Sequence, residues 1–164
     1  LREARDAAAR ADFVVVVDAD TDTARTEAWE LGISGFASAR RRLAGGGRGD
    51  TPVSHLSPVF AVAGIGEPDQ FFGLLRDAGY QLAGTLPFAD HHRYNAGDVA
   101  RIAAAGRSAG AHIVVTTAKD AVRFEPLGSL PFTLVAVPMR LEVDGWGALT
   151  ASLDQAVRRA REAA

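Results

Sequence analysis

The residues best suited to chemistry form the run Asp90-His91-His92. An imidazole can accept or donate a proton near neutral pH, and a neighbouring carboxylate can hold it in one tautomer. The run therefore predicts acid–base chemistry at a turn. The alternative interpretation is an exposed polar turn that caps a helix beginning near Asn95, because short polar side chains accept from free helix amides.

A second polar run, which includes Lys119 and Asp120, comes about one strand and one helix later in the chain: Thr116-Thr117-Ala118-Lys119-Asp120. The ammonium of Lys119 is suited to contact a phosphate or to pair with a carboxylate. The alternative is a short N-capped helix with solvated charges. Both runs follow predicted strands, and ligands of open α/β sheets bind beyond the carboxyl ends of the strands. We therefore expect the functional cleft at that edge.

Apolar runs of strand length alternate with helical patterns along the chain. Strands are predicted at residues 13–17, 59–63, 80–86, 113–116 and 134–137, and weaker extended segments at 33–39 and 141–143. Helices are predicted at residues 1–10, at 24–31 with residues 20–23 as the helix start, and at 68–79, 96–105 and 149–163. This alternation favours an α/β fold with a mainly parallel sheet and helices on both faces, a Rossmann-like three-layer sandwich.

Composition narrows the classes of protein. With 164 residues, of which 48% are hydrophobic, the sequence predicts a single domain over residues 1–164. Four glycines predict a flexible loop at about residues 44–52. The net charge of -2 argues against nucleic acid as a partner. Arg40, Arg41 and Arg42 form a local basic cluster, which is suited to meet anionic lipid head groups but is more commonly a solvated loop edge, and we assign it no role. The absence of cysteine excludes disulfides and thiolate metal sites.

Targeting and membrane signals are also weak in the sequence. The apolar runs fall short of the roughly 20 residues that a spanning helix needs. The chain starts at Leu1 without a Met, a basic leader or an apolar core region, which we interpret as a cut. A cytoplasmic setting is expected because a chain without cysteine is compatible with a reducing compartment.

Two other functional interpretations of the sequence compete. The run from Gly45 to Thr51 resembles a phosphate loop, but Asp50 stands where the phosphate-binding Lys should be. The Asp90-His91-His92 run also resembles the manganese-dependent phosphoesterases that are named for an Asp-His-His motif, with Asp18 and Asp20 as the upstream carboxylates. The glycine-rich run then stands before the motif, whereas in that family it follows the motif and includes a His. The phosphoesterase remains the weaker alternative, and we expect no metal at this turn.

A third resemblance rests on several motifs in one order. These are Leu1-Arg2-Glu3, Gly64-Ile65-Gly66-Glu67-Pro68-Asp69-Gln70-Phe71-Phe72, Phe88-Ala89-Asp90-His91-His92 and Thr116-Thr117-Ala118-Lys119-Asp120-Ala121-Val122. Together they resemble the C-terminal half of the tetraacyldisaccharide 4'-kinases, the ATP-dependent lipid kinases of lipid A biosynthesis. The family usually carries Glu where this chain has Ala118.

The resemblance implies one lobe of a two-lobed kinase. ATP and Mg2+ would be bound mainly by an N-terminal P-loop lobe that this chain lacks, so the resemblance implies no cofactor site here. His91, beside Asp90, would reach across the cleft to support the Asp that deprotonates the sugar hydroxyl. His92, Arg93, Lys119 and Asp120 would be candidate substrate or phosphate contacts.

The resemblance also implies partners and a location. The substrate would be an acylated disaccharide lipid, and the enzyme would lie in the cytoplasm, peripherally on the inner face of the inner membrane. Phosphoryl transfer depends on positioning and charge stabilisation, so this chain alone is expected to be inactive. A non-catalytic, degenerate binding module is the structural alternative.

Overall fold

The computed structural model describes residues 5–44 and 57–162. The chain folds as two compact units, one formed by Leu1–Arg41 with Leu141–Ala164 and the other by Arg42–Arg140. This division does not test the prediction of a single domain over residues 1–164, which stays a prediction. The glycine-rich segment at 44–52 lies outside the described residues apart from Ala44.

In chain order, a helix joins β1 to β2, and strands and helices then alternate from β3 to α4. The elements are β1 (Phe13–Val17), α1 (Thr21–Glu30), β2 (Gly35–Leu43), β3 (Val59–Ala63), α2 (Pro68–Asp77), β4 (Leu82–Pro87), α3 (Ala96–Ser108), β5 (Ile113–Thr117), α4 (Ala118–Phe124), β6 (Thr133–Val137), β7 (Met139–Asp144) and α5 (Trp146–Glu162). Short 3₁₀ helices span Arg5–Arg10 and Glu125–Leu127.

The unit Arg42–Arg140 is built on a four-stranded sheet of order β4-β3-β5-β6, in which every pair is parallel. All five residues of β3 are buried, as expected for a central parallel strand covered on both faces. Alternate residues of the strand point to opposite faces. Val59, Ala61 and Ala63 belong to the cluster that includes Phe71 of α2.

The other face of this sheet packs on different helices. Phe60 and Val62 of β3 belong to a second cluster with Ile102 of α3 and Phe124 of α4. Helices therefore cover both faces of the parallel sheet, which confirms the predicted fold class.

The other unit contains a three-stranded sheet of order β1-β2-β7, with β1 and β2 parallel. Asp20 caps α1, where its carboxylate accepts from the backbone N of Thr23 at 2.7 Å. None of the residues of α5 is buried. No sequence signal indicates that the strands divide between two sheets, because periodicity reports burial and not pairing partners.

Three predictions of local structure need correction. The extended segment expected at 33–39 is a longer strand, β2, which runs to Leu43. Arg40, Arg41 and Arg42 therefore lie on a strand and not at a loop edge. Arg41 is fixed there because its backbone N and guanidinium bind the Asp18 carboxylate at 3.2 and 2.9 Å. The predicted helix at 1–10 is a 3₁₀ helix over the described Arg5–Arg10.

Candidate functional site

The candidate site lies at the carboxyl ends of β3, β4 and β5, within the unit Arg42–Arg140. Gly64 follows β3, Asp90 and His91 follow β4, and Lys119 lies in the first turn of α4, which follows β5. Residues far apart in sequence meet here because neighbouring parallel strands end at the same edge. Asp90 and Lys119 meet at this edge, with their Oδ1 and Nζ atoms 3.5 Å apart.

Asp90 is the anionic centre of this cluster, and its side chain is about half exposed. Its Oδ1 accepts from the backbone N of His91 at 2.9 Å, and Oδ2 lies 3.6 Å from His91 Nε2. Desolvation raises the pKa of Asp90, but the charges of His91 and Lys119 and the backbone hydrogen bond together hold it below its ordinary value. Asp90 is therefore a carboxylate at neutral pH.

His91 adopts an uncommon backbone conformation, with φ at 59°. The left-handed region is disfavoured for a residue with a Cβ, and such conformations persist where surrounding contacts impose them. Here the backbone N of His91 also donates to Gly64 O at 3.2 Å. The side chain is 72% exposed, so the ring is presented to solvent at the edge of the sheet.

Arg123 of α4 contacts this histidine and was not recognised from the sequence. Its NH2 donates to His91 Nδ1 at 3.2 Å, and its NH1 donates to Gly64 O at 3.2 Å and to Asp120 Oδ1 at 2.8 Å. The spacing of three between Asp120 and Arg123 was the available signal, since residues i and i+3 are neighbours on a helix. The contact with His91, 32 residues away, had no local signature.

Asp120 is fully buried. Its Oδ2 accepts from the backbone N of Gly64 at 2.8 Å and from Thr117 Oγ1 at 3.0 Å, and Oδ1 is paired with Arg123. Its own backbone N donates to Thr117 Oγ1 at 3.1 Å, which caps α4. The carboxylate thus ties the end of β3 to the start of α4 and is turned away from solvent.

His92 lies next to His91 but binds a different part of the fold. Its Nε2 donates to Asp98 Oδ2 at 2.9 Å, and the same carboxylate oxygen accepts from the backbone N of Asn95 at 3.1 Å. Asn95 and Asp98 form a capping box at the start of α3. The His92 ring packs on the Phe88 ring, with the two ring centroids 4.7 Å apart. The helix-capping alternative therefore describes His92, though not His91.

Gly64, at the end of β3, lies in close contact with polar groups of the site. A Cβ at this position would lie 3.0 Å from Tyr94 Oη and 3.3 Å from both Ala89 O and Asp120 Oδ1. The Tyr94 ring is stacked on Phe124 with ring centroids 4.0 Å apart, and burial, followed by the nearby Asp120 charge, raises its pKa. Only glycine fits here without moving a neighbour.

The remaining sequence candidates are Lys119 and Arg93. Lys119 is the one lysine of the whole sequence, and its side chain is about half exposed beside Asp90. Arg93 is exposed on the same connection. The structure therefore brings together Asp90, His91 and Lys119, while Asp120 lies beneath them and His92 faces α3.

Two groups of the candidate site that are suited to bind a phosphate already have partners within the protein. The amide of Gly64 is already bound to Asp120, and Lys119 is paired with Asp90. Across residues 5–44 and 57–162, no group of three or more His, Asp or Glu side chains is arranged to hold a metal ion. The glycine-rich run from Gly45 to Thr51 lies outside these ranges. Within the same ranges, no helix is both long enough and apolar enough to cross a bilayer.

Comparison with known proteins gives consistent results. The sequence model of the family described as tetraacyldisaccharide-1-P 4'-kinase matches residues 1–158. The tetraacyldisaccharide 4'-kinase of Rhodopseudomonas palustris (strain BisB5) is 35% identical over 156 residues, which are 93% of this chain and 45% of that protein. The protein of the same name from Jannaschia sp. (strain CCS1) is 42% identical over 102 residues, which are 62% of this chain and 30% of that protein. The chain thus spans less than half the length of these relatives.

A solved structure has a similar fold. The crystal structure of "apo" form LpxK from Aquifex aeolicus in complex with ATP matches 94% of this chain and 45% of its own chain, with a TM-score of 0.56 and 19% identity. At that identity the likeness concerns the fold. The match of the family over nearly the whole sequence is what decides the assignment. This chain belongs to the tetraacyldisaccharide-1-P 4'-kinase family.

Proposed function

We propose that this chain forms one lobe of an ATP-dependent lipid kinase that phosphorylates the 4'-hydroxyl of a tetraacyldisaccharide 1-phosphate in lipid A biosynthesis. The observation that carries the proposal is the family match over residues 1–158. The relatives that match most of the chain are named tetraacyldisaccharide 4'-kinase. Because those relatives are more than twice as long as the matched segments, the activity is proposed for a protein that includes a second lobe.

The nucleotide and Mg2+ are proposed to bind mainly to that second lobe. A triphosphate is held by several free backbone amides together with a Lys. At the candidate site Gly64 N is occupied by the Asp120 carboxylate at 2.8 Å, and the Lys119 ammonium faces Asp90. These partners support the proposal that the triphosphate binds elsewhere, and no step through ATP is assigned to Gly64 or Lys119.

His91 and Asp90 are proposed to act on the acceptor side of the reaction. With Arg123 donating to Nδ1, the neutral imidazole carries its proton on Nε2, which lies 3.6 Å from Asp90 Oδ2. A donor in this position is suited to orient a carboxylate that removes the proton of a sugar hydroxyl. Lys119 and Arg93 are exposed cations near it and are proposed to contact a phosphate of the substrate.

His92 and Asp120 receive a different proposed role. Both side chains are engaged with neighbouring elements, His92 with Asp98 and Asp120 with Arg123. We propose that they position the site without contacting the substrate, in place of the phosphate contacts that the sequence resemblance implied.

The location is proposed from the chemistry of the substrate. A tetraacylated disaccharide resides in a bilayer, so its kinase must act at a membrane surface, here the inner face of the inner membrane, as a peripheral protein of the cytoplasm. Sedimentation of a full-length enzyme containing this chain with vesicles of anionic phospholipid measures this binding. An enzyme that stays in the supernatant with and without lipid substrate contradicts the location.

The experiment that tests the function measures phosphate transfer from ATP to the disaccharide lipid. We expect turnover by a full-length enzyme that contains this chain and none by the chain alone. Calorimetry of the chain with magnesium and ATP is expected to show no micromolar binding. Micromolar binding would place nucleotide on this lobe. Manganese-dependent phosphoesterase activity that a chelator abolishes would instead favour the alternative family.

A further inference from the structure

Among the described residues, the side chain of Arg123 is the one cation whose hydrogen bonds connect the buried base of the site to the imidazole of His91. It is 21% exposed, and it reaches three acceptors: Gly64 O, Asp120 Oδ1 and His91 Nδ1, at 3.2, 2.8 and 3.2 Å. No lysine could reproduce this fork, because an ammonium is a point charge whereas a guanidinium is planar with five donors.

The bond to His91 determines where the proton of the neutral ring lies. A guanidinium has no acceptor, so Nδ1 must present its lone pair to Arg123 NH2. The single proton of the neutral imidazole is then on Nε2. That nitrogen lies 3.6 Å from Asp90 Oδ2. This one contact from α4 makes Nδ1 an acceptor and Nε2 a donor.

The guanidinium of Arg123 is held in place by the buried carboxylate of Asp120. Asp120 is fully buried and accepts from Gly64 N and Thr117 Oγ1 in addition to its ion pair with Arg123. A charged group that is buried with every oxygen bound has little freedom to move. The position of Arg123 is therefore set by the joint between β3 and α4.

His91 needs such support because little else restrains its ring. Its side chain is 72% exposed, and its backbone is in the left-handed region. An exposed side chain exchanges rotamers on a picosecond to nanosecond timescale. A hydrogen bond from a fixed guanidinium reduces the number of rotamers that the ring samples and keeps Nε2–H in one orientation.

We propose that Arg123 is a positioning residue, which donates to Nδ1 of His91 and thereby holds the imidazole as the Nε2–H tautomer in one orientation. For its effect on turnover the inference rests on the proposed kinase function. The tautomer itself is a property of this chain and is measured without any activity.

The test compares Arg123→Lys with Arg107→Lys, an exposed arginine near the end of α3. Arg123→Lys keeps a cation beside Asp120. If this variant does not fold, Asp120→Asn combined with Arg123→Gln removes both charges and leaves no buried ion unpaired. The imidazole nitrogens are observed by 15N NMR in the chain labelled at histidine, with His91→Gln used to assign the signals.

We expect His91 Nδ1 to be unprotonated in the wild type and in Arg107→Lys, and both tautomers to be present in Arg123→Lys. The same Nε2–H tautomer in all three proteins would overturn the proposal. In a full-length enzyme, Arg123→Lys is expected to lower kcat by about 10- to 100-fold with the KM for ATP unchanged. Unchanged kcat beside a changed tautomer would equally overturn it, since the tautomer would then not matter to the reaction.

The two proposals fail in different ways. A full-length enzyme without any kinase activity would refute the proposed function, and the NMR comparison would still decide whether Arg123 sets the tautomer. A kinase that loses kcat in Arg123→Lys but keeps a single His91 tautomer would retain the function and refute the positioning role.

Discussion

His92 donates from Nε2 to Asp98 Oδ2 at 2.9 Å, and this bond fastens the second histidine of the turn to the first turn of α3. Its neighbour His91 makes its ring contact with Arg123 of α4. Consecutive side chains thus connect to two different helices at the same sheet edge. The difference makes the two histidines separable by mutation.

Replacing each histidine with alanine is expected to give different kinetic results in a full-length enzyme. His91→Ala is expected to lower turnover on the disaccharide lipid by about 10²–10⁴-fold, because positioned acid–base groups contribute that much. ATP affinity should change little. His92→Ala is expected to keep most of the turnover. Steady-state rates, with nucleotide affinity measured separately, check this. Equal, small losses of turnover in the two variants would indicate that the turn only caps α3.

For stability, the larger loss is expected in His92→Ala and the smaller one in His91→Ala. His92→Ala removes a hydrogen bond to a carboxylate and is expected to lower the free energy of unfolding by about 1–2 kcal/mol. His91→Ala removes a mostly exposed ring and is expected to cost less. Urea unfolding followed by circular dichroism measures both. A larger loss in His91→Ala would contradict the assignment of His92 as the capping residue.

Gly64→Ala is expected to destabilise the unit Arg42–Arg140 by about 1–3 kcal/mol, because its Cβ would lie 3.0 Å from Tyr94 Oη. The matched control is Gly73→Ala in the middle of α2, where a Cβ meets nothing within 4 Å. That substitution is expected to stabilise the helix by up to about 1 kcal/mol. Thermal unfolding of both variants checks the pair. A loss of stability in Gly73→Ala alone would contradict the geometry described for Gly64.

Asp120→Asn is expected to destabilise the fold by about 2–4 kcal/mol, because the guanidinium of Arg123 would lose its buried counter-charge. Asp77→Asn makes the same chemical change at an exposed position at the end of α2. It is expected to lie within about 0.5 kcal/mol of the wild type. Denaturant titration distinguishes the two, and similar small effects would show that the pair adds nothing to stability.

Lys119→Met is expected to raise the pKa of Asp90 towards its ordinary value of 3.8. Burial already raises this pKa, and the Lys119 ammonium is one of the groups that outweigh it. Since the folded pKa lies below the unfolded one, the stabilisation is present above pH 3.8 and is lost as the pH falls through the folded pKa. Side-chain carboxyl 13C shifts against pH measure the change. Arg76→Met, exposed in the last turn of α2, is the control expected to leave it unchanged.

Much of the fold was predictable because its signals are local. The buried strand Val59–Ala63 is a continuous apolar run, and the amphipathic spacing of Phe71 and Leu75 marks α2. The length of β2 was not predictable, since Arg40 and Arg41 have no apolar pattern and lie on a strand through pairing with its neighbours. Pairing is a tertiary effect that outweighs local preference.

The position of the candidate site could be predicted from the sequence, but its burial and long-range hydrogen bonds could not. Strand ends marked Asp90 and Lys119 as neighbours, because parallel topology alone brings them to one edge. The burial of Asp120 was not predictable, since it depends on the amide of Gly64, 56 residues away. Arg123 was overlooked for the same reason. Long-range hydrogen bonds to the backbone leave no periodic trace in a sequence.

The left-handed backbone at His91 has an evolutionary consequence. Glycine or asparagine adopts this conformation more readily than histidine does. Selection for stability alone would therefore remove the histidine over time, whereas selection for turnover would keep it. The residue type at this one position thus becomes a marker that separates working copies of the lobe from decayed ones.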